Sequence, residues 1–252
     1  MQIKGITAIV TGGASGLGAA TVKALAAAGA KVAVLDVNHA LAATVAAAAG
    51  GIAVNCNVAD AAAAQHAIAV VKEKLGTPRV LVNCAGIGTS ARIVGKQGVM
   101  PLDDFSKVIN VNLIGSFNML RLAAAAMIND ALPGEENGVI ISTASVAAYE
   151  GQIGQAAYAA SKGGIVSLTL PAAREFAQFG IRVNAIAPGL FLTPLLEGLS
   201  EEALQSLAAA IPYPKRLGGA DEFANLVLHI IENGYINGEV IRIDGALRMQ
   251  PK

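Results

Sequence analysis

This sequence of 252 residues contains few cysteines and histidines. Its two cysteines, Cys56 and Cys84, are too few for a disulfide framework or a four-ligand zinc site. The three histidines are scattered and show no metal-ligand spacing. We therefore expect no metal site, and a reducing compartment is the simplest interpretation of the cysteine content.

Charged residues are also scarce, at 14% of the chain, and 18 basic residues balance 18 acidic ones. A protein that binds nucleic acid generally carries an excess of Lys and Arg, so we expect no nucleic-acid partner. The low charge does not indicate disorder, because 54% of the residues are hydrophobic and can form a large core.

The sequence lacks an uninterrupted apolar run long enough to cross a membrane. The most suggestive uncharged stretch, Gly5–Val22, contains several glycines in its second half. A membrane-spanning helix needs ~20 predominantly apolar residues. The first predicted strand starts close to Met1, which leaves no room for a presequence. We expect a cytoplasmic protein with no membrane partner.

Short β-branched runs alternate with longer alanine-rich stretches along the whole chain. The predicted strands are Ile6–Thr11, Lys31–Asp36, Ile52–Cys56, Val80–Asn83, Gly138–Ser142, Arg182–Ala187 and Val240–Ile243. The predicted helices are Leu17–Ala28, Ala40–Ala49, Ala61–Leu75, Leu102–Ile128, Ala157–Phe179 and Asp221–Glu232. Continuous apolar strands alternating with helices indicate a parallel sheet covered on both faces. We predict one α/β domain over residues 1–252, a Rossmann-like doubly wound sheet of about seven strands.

Two long connections interrupt this alternation, Ala85–Pro101 and Gly189–Pro214. Connections of this length inside a compact domain are usually functional. Both follow predicted strands, so we expect them at the carboxyl edge of the sheet, where open α/β sheets bind ligands.

A glycine-rich loop links the first predicted strand to the first predicted helix. Its sequence is Thr11-Gly12-Gly13-Ala14-Ser15-Gly16-Leu17-Gly18. Glycines permit a tight turn and let backbone N–H groups approach a pyrophosphate, and the helix N-terminus then faces its negative charge. The strand before the loop and the helix after it favour a dinucleotide site over an ordinary glycine-rich turn.

Asp36 ends the second predicted strand. A carboxylate at this place accepts hydrogen bonds from the adenosine ribose hydroxyls and repels a 2′-phosphate. Val37 and Asn38 provide no cation for such a phosphate. The sequence therefore predicts NAD rather than NADP.

Tyr158 and Lys162 are four residues apart in a predicted helix, so they share one face. A free tyrosine has a pKa of about 10, and a nearby ammonium is expected to lower it by stabilising the phenolate. Ser145 follows the fifth predicted strand, where its hydroxyl could hold a substrate oxygen. Together with the glycine loop, these three residues predict acid–base chemistry on an alcohol or carbonyl.

These motifs together resemble the short-chain dehydrogenase/reductase family over nearly the whole chain. The resemblance also rests on Asn83-Cys84-Ala85-Gly86, Asn112 and Pro188-Gly189. It implies a nicotinamide-dependent enzyme that is usually a tetramer, with Tyr158 as general acid/base, Ser145 orienting the substrate, and Lys162 binding the nicotinamide ribose. It also implies that Asn112 supports a proton path to Lys162. The implied cofactor-binding residues are Gly12, Ser15, Gly16, Leu17, Gly18, Asp36, Asn57, Val58, Asn83, Ala85, Gly86, Tyr158, Lys162, Pro188, Gly189 and Thr193.

Within the family, the segments around Ser145, Pro188 and the C-terminus are most similar to members that oxidise 3-hydroxyacyl-CoA. This resemblance implies reversible NAD-dependent oxidation of a 3-hydroxyacyl-CoA in fatty acid metabolism, with Gln152 and Gln155 near the substrate. Two departures concern binding. Asn57 stands where the family commonly has an aspartate that contacts the adenine. The residues of the loop Gly88–Met100 differ from those of the members that the rest of the chain resembles.

Three alternatives stay open at this point. One is a 3-oxoacyl-ACP reductase, which normally prefers NADPH. Another is a hydroxysteroid or other secondary-alcohol dehydrogenase. The third is a non-catalytic scaffold subunit, against which the complete set of Ser145, Tyr158 and Lys162 argues.

Overall fold

The computed structural model describes residues 1–88, 90–96, 98–196 and 200–251. The strands are β1 (Thr7–Thr11), β2 (Lys31–Asp36), β3 (Ile52–Asn55), β4 (Pro78–Asn83), β5 (Val94–Gly95), β6 (Gly98–Val99), β7 (Gly138–Thr143), β8 (Ile181–Pro188) and β9 (Val240–Ile243). The helices are α1 (Gly16–Ala27), α2 (His39–Ala48), α3 (Ala61–Leu75), α4 (Leu102–Ile109), α5 (Gly115–Asn129), α6 (Ala156–Phe176), α7 (Glu201–Ala209) and α8 (Ala220–Glu232).

Seven parallel strands form one sheet in the order β3-β2-β1-β4-β7-β8-β9. The predicted Rossmann-like α/β fold is therefore confirmed. The chain leaves β1 in one direction to build β2 and β3, and in the other to build β4 and the strands beyond it. The carboxyl ends of β1 and β4 thus flank the point where the strand order reverses, which is where such sheets form a ligand crevice.

The strands are continuous apolar runs because both faces of the sheet are covered. Successive side chains of a strand point to opposite faces. Accordingly, Ile9 and Leu81 are fully buried in a core beneath α3, α5 and α6. Their neighbours Val10 and Val82 are fully buried in a second core beneath α1, α2 and α8.

The structure differs from the prediction in one long helix and in the two long connections. The helix predicted over Leu102–Ile128 is α4 and α5 joined by a turn of π-helix at Asn110–Ile114. The connection after β4 contains the short antiparallel pair β5 and β6. The connection after β8 contains α7, and a capping signal for it is visible in the sequence. Ser200 accepts a hydrogen bond from the backbone N–H of Ala203 at 3.2 Å.

The stretch Leu102–Asn129 is long and apolar enough to cross a bilayer by length and composition alone. However, 56% of its apolar window is buried inside the structure. Met119, Ala123 and Met127 pack in the core shared with α3 and the sheet. This is the pattern of a core helix.

Arg182, near the start of β8, joins the sheet to the end of α8. Its guanidinium is buried and donates to the carbonyl oxygens of Ile230, Ile231 and Ile236, each at 2.8 Å. It also pairs with Glu136 at 2.7 Å. One side chain therefore satisfies several carbonyls that the C-terminus of a helix leaves without partners.

We expect Arg182→Met to lower the free energy of unfolding by about 1–3 kcal/mol, because it removes the guanidinium donor from the buried carbonyl of Ile230. The Met1 ammonium still pairs with Glu136 and donates to Ile231, and Asn184 still donates to Ile236. Denaturant unfolding measures this change. The control is Arg174→Met, an exposed position on α6, where a change within about 0.5 kcal/mol is expected. If Arg182→Met and Arg174→Met have the same free energy of unfolding, the hydrogen bonds and the ion pair of Arg182 do not stabilise the contact between β8 and α8.

Candidate active site

One cavity of about 760 Å³ lies at the carboxyl edge of the sheet. Most of the predicted site residues line it, namely Gly12, Ser15, Gly16, Leu17, Gly18, Asp36, Asn57, Val58, Ala85, Gly86, Ser145, Gln155, Tyr158, Lys162, Pro188, Gly189 and Thr193. Three predicted residues, Asn83, Asn112 and Gln152, are not among its lining residues. The cavity has the size and the mixed apolar and polar lining that small-molecule sites generally have.

The glycine loop forms the floor of one end of this cavity. Gly12 has a left-handed φ of +61°, and a Cβ there would lie 2.7 Å from the Cα of Ala85. A Cβ on Gly18 would lie 2.1 Å from the carbonyl oxygen of Gly12. Because no side chain fits at either position, the backbone itself forms the surface of the cavity.

The N-terminus of α1 opens toward the same region. Ser15 stands at its N-cap and makes no side-chain capping hydrogen bond. The first backbone N–H groups of a helix lack intrahelical partners, and the helix dipole favours an anion beside them. The glycine surface and this helix end fit the pyrophosphate of a dinucleotide.

Asp36 lies at the end of β2 and holds the glycine loop in place. Its two carboxylate oxygens accept from the backbone N–H of Ala14 at 3.1 Å and of Asn38 at 2.9 Å. Each oxygen retains further acceptor capacity, so the carboxylate can still bind ribose hydroxyls. The structural role of Asp36 and its predicted binding role are therefore compatible.

Asn57 and Val58 line the cavity near Asp36. Asn57 is exposed, and its side-chain oxygen accepts from the backbone N–H of Ala59 at 3.1 Å. This bond orients the amide, which can still donate and accept at the cavity. Val37 and Cys56 add apolar surface beside it, and the sequence reasoning did not include them.

Ser145 and Tyr158 meet at the other end of the cavity. The Ser145 hydroxyl oxygen accepts from the backbone N–H of Ala147 at 3.1 Å, so its own O–H is free to donate. Burial raises the pKa of Tyr158 above its usual value of 10.0, and hydrogen bonding by Ser145 opposes that rise. The phenol is therefore protonated at neutral pH.

Lys162 lies behind Tyr158 and is 96% buried, with 4% of its surface exposed. Its Nζ donates to the carbonyl oxygen of Thr143 at 2.6 Å and lies 5.7 Å from the centroid of the Tyr158 ring. Burial lowers the pKa of Lys162 from 10.5 to about 8. The structure differs here from the prediction. The tyrosine pKa is raised, because desolvation by burial outweighs the hydrogen bond from Ser145.

Asn112 lies on the π-helical turn and fixes the backbone after β4. Its side chain accepts from the N–H of Ile87 at 2.8 Å and donates to the carbonyl oxygen of Ile87 at 2.9 Å. It also donates to Ser161 at 3.0 Å. These bonds hold Gly86 and Ile87 at the cavity wall. The predicted proton path from Asn112 to Lys162 stays a prediction.

Asn83 lies inside the sheet core instead of at the cavity. Its amide donates to the carbonyl oxygen of Ser116 and to the Ser142 hydroxyl, both at 3.3 Å. The Thr11 hydroxyl donates to its oxygen at 3.5 Å. Side chains alternate between faces along a strand, so the next residue, Cys84, lines the cavity in its place.

Two lining residues with distinct chemistry, Cys84 and Met249, are not among the predicted site residues, although Cys84 belongs to the Asn83–Gly86 motif. Burial raises the pKa of the Cys84 thiol to about 11, so it is neutral. Met249 lies in the C-terminal segment that carries part of the family resemblance, but the sequence assigns it no role. Gln152, predicted beside the substrate, instead donates to the carbonyl oxygen of Gln250 at 2.9 Å.

The chain is similar to known proteins over most of its length. The profile described as "short chain dehydrogenase" matches residues 6–204. The chain is 52% identical to a "3-hydroxyacyl-CoA dehydrogenase type-2" of Rattus norvegicus, over 99% of this chain and 98% of that protein. It is 37% identical to a 3-oxoacyl-acyl-carrier-protein reductase of Thermotoga maritima, over 98% of this chain and 99% of that protein. A crystal structure of a 3-hydroxyacyl-CoA dehydrogenase type-2 from Mycobacterium avium superposes with a TM-score of 0.93 at 46% identity, covering 98% of each chain.

The depressed pKa of Lys162 predicts a specific dependence of stability on pH. Between about pH 8 and 10.5, the unfolded chain binds more protons at Lys162 than the folded protein does. The free energy of unfolding contributed by this residue therefore rises with pH across that window. Relative to that of Lys162→Met, the free energy of unfolding of the wild type should rise by up to roughly 3 kcal/mol across this window, since one pKa unit corresponds to about 1.4 kcal/mol.

Unfolding midpoints of both proteins at pH 7, 8, 9 and 10 measure this gain. Lys23→Met, at an exposed position on α1, controls for the loss of a lysine elsewhere. A wild-type advantage that stays constant with pH would contradict the assignment of a buried, partly neutral lysine.

Proposed function

The chain belongs to the short-chain dehydrogenase family, and on that premise we propose that it catalyses the reversible, NAD-dependent oxidation of a 3-hydroxyacyl-CoA to the 3-oxoacyl-CoA. The observation that carries this proposal is one cavity that joins the glycine loop and Asp36 to Ser145, Tyr158 and Lys162. The acyl-CoA substrate is supported by the 52% identity to the rat 3-hydroxyacyl-CoA dehydrogenase type-2 over nearly the whole chain.

The residues at the glycine-loop end of the cavity fit NAD. The Asp36 carboxylate would accept from ribose hydroxyls and would repel a 2′-phosphate. Among the described residues that line the cavity, Lys162 is the one cation, and it lies beside Tyr158 at the opposite end. The lining described by the structure thus supplies no positive charge near Asp36 to receive a phosphate.

Tyr158 and Ser145 act on the oxygen of the substrate. A nicotinamide held in this cavity would supply or accept the hydride at the substrate carbon that bears this oxygen. In the reductive direction, the protonated Tyr158 donates its proton to the oxygen as negative charge develops there. The free O–H of Ser145 stabilises the same charge. In the oxidative direction Tyr158 accepts the alcohol proton.

Lys162 stabilises the state in which Tyr158 has lost its proton. Its pKa of about 8 means that the ammonium is charged at neutral pH. An ammonium next to a buried phenolate lowers the free energy of that phenolate, even though the resting tyrosine is protonated. The bond to Thr143 holds Lys162 in this position.

The Tyr158 end of the cavity offers an apolar surface for the acyl group. Val146, Ala147, Leu190 and Met249 line it, with Gln155 as the polar exception. The segment before β5 is joined to the loop that leads into α6, since the N–H of Ala91 donates to the carbonyl oxygen of Gly154 at 2.9 Å.

The direct test is the consumption of reduced cofactor with acetoacetyl-CoA, followed by nicotinamide absorbance. We expect NADH to be oxidised with a kcat/KM at least about tenfold higher than that of NADPH. Asp36→Ala should narrow this preference about tenfold or more, because it removes charge-assisted hydrogen bonds and the repulsion of the 2′-phosphate. Glu232→Gln, at an exposed position on α8, is the control acidic substitution and should leave the preference unchanged.

The remaining outcomes of this assay would redirect the proposal. A preference for NADPH would contradict the role of Asp36 and favour a 3-oxoacyl-ACP reductase. Turnover of steroid or simple ketones but not of acetoacetyl-CoA would indicate a different alcohol dehydrogenase. No turnover of any carbonyl compound would favour a scaffold subunit. The homotetramer, the cytoplasmic location and the role in fatty acid metabolism stay predictions from the sequence.

A further inference from the structure

The last residues of the chain, which we call the C-terminal strap (247–251), run along the loop that precedes α6. Leu247 anchors the strap and is buried. Three hydrogen bonds join the two segments, from the N–H of Met249 to Glu150 at 2.9 Å, from the Gln152 amide to the carbonyl oxygen of Gln250 at 2.9 Å, and from the N–H of Ile153 to the carbonyl oxygen of Pro251 at 3.1 Å. The strap is thereby fixed to the loop that leads into the helix bearing Tyr158.

Four charged residues brace this arrangement. Glu150 pairs with Arg242 at 2.7 Å, and Arg242 pairs with Asp244 at 2.7 Å. Arg248, within the strap, pairs with Asp244 at 3.2 Å and with Glu150 at 3.4 Å. The Glu150 and Asp244 side chains are only 20% and 9% exposed, so these pairs are screened less than surface pairs. The cluster balances two cations with two anions.

The consequence of this bracing is the position of Met249. Its neighbours Arg248 and Gln250 are exposed, whereas Met249 is partly buried and lines the cavity. Its backbone N–H is held by Glu150, the residue at the centre of the ion cluster. Methionine is unbranched and polarisable, and it adapts to apolar groups of different shape. Nothing in the proton-transfer chemistry uses this side chain.

We propose that Met249 forms the wall that limits the acyl chain, and that Glu150 is a positioning residue that sets this wall through the ion cluster. The inference rests on the proposed acyl-CoA activity. It makes chain-length preference a property of the C-terminal strap, which lies far along the chain from the catalytic residues. Removing the Met249 side chain beyond Cβ opens space for additional methylenes of the substrate.

The test compares kcat/KM for acetoacetyl-CoA and for 3-oxooctanoyl-CoA, with NADH as reductant. Met249→Ala should raise the ratio of long to short substrate at least about tenfold, since each newly buried methylene contributes about fourfold. Met249→Phe should lower the ratio. Met249→Leu, of similar volume, is the matched control and should leave the ratio within about twofold.

Glu150→Gln tests the positioning role. In the otherwise wild-type protein, Glu150→Gln should raise the ratio of long to short substrate, as Met249→Ala does. In a protein that already carries Met249→Ala, it should have little further effect. Glu175→Gln, an exposed substitution on α6, is the control. The affinity for NADH should be unchanged in every variant, because neither Glu150 nor Met249 is among the predicted cofactor-binding residues.

Two results would overturn this inference while leaving the proposed function standing. One is that the wild type is active and that Met249→Ala and Met249→Phe both have its ratio of kcat/KM for long and short substrate. The other is that Met249→Ala and Glu150→Gln lose kcat/KM equally for both substrates and unfold at a lower midpoint, which would show that the strap has a structural role only. A wild type that reduces neither acyl-CoA would instead overturn both proposals.

Discussion

The hydrogen bond from Lys162 to the carbonyl oxygen of Thr143 is the interaction on which the site depends. It ties α6 to the carboxyl end of β7, so the helix face that bears Tyr158 is fixed against the sheet. The burial that makes this bond necessary also lowers the lysine pKa to about 8 and raises that of the tyrosine. One geometric constraint therefore sets both the position and the protonation state of the acid–base pair.

The sheet brings the remaining groups to the same edge. The glycine loop follows β1, Asp36 ends β2, Ala85 and Gly86 follow β4, and Ser145 follows β7. Parallel strands put all these ends on one side, and the reversal of strand order opens the crevice there. The Asp36 carboxylate then fixes the glycine loop through the N–H of Ala14, and the Asn112 side chain fixes the segment after β4 through the N–H of Ile87.

The sequence patterns predicted the sheet and most of the cavity because both depend on local signals. Buried parallel strands are continuous apolar runs, and the glycine loop has a strand before it and a helix after it. The side chain of Asn83 is packed behind the lining and Cys84 lines the cavity, a difference of one residue that the sequence pattern alone does not resolve. Met249 could not be predicted, because its position depends on ion pairs that join Glu150 to the far end of the chain.

The central claim is that Tyr158 transfers the proton within a cavity that holds the cofactor independently of it. The most direct measurement is kcat with acetoacetyl-CoA and the Kd of NADH in Tyr158→Phe, beside Tyr235→Phe at a fully exposed tyrosine as control. We expect a fall in kcat of about 10²–10⁴-fold, with the Kd of NADH within about threefold of wild type. A Tyr158→Phe protein that keeps its kcat would contradict the claim.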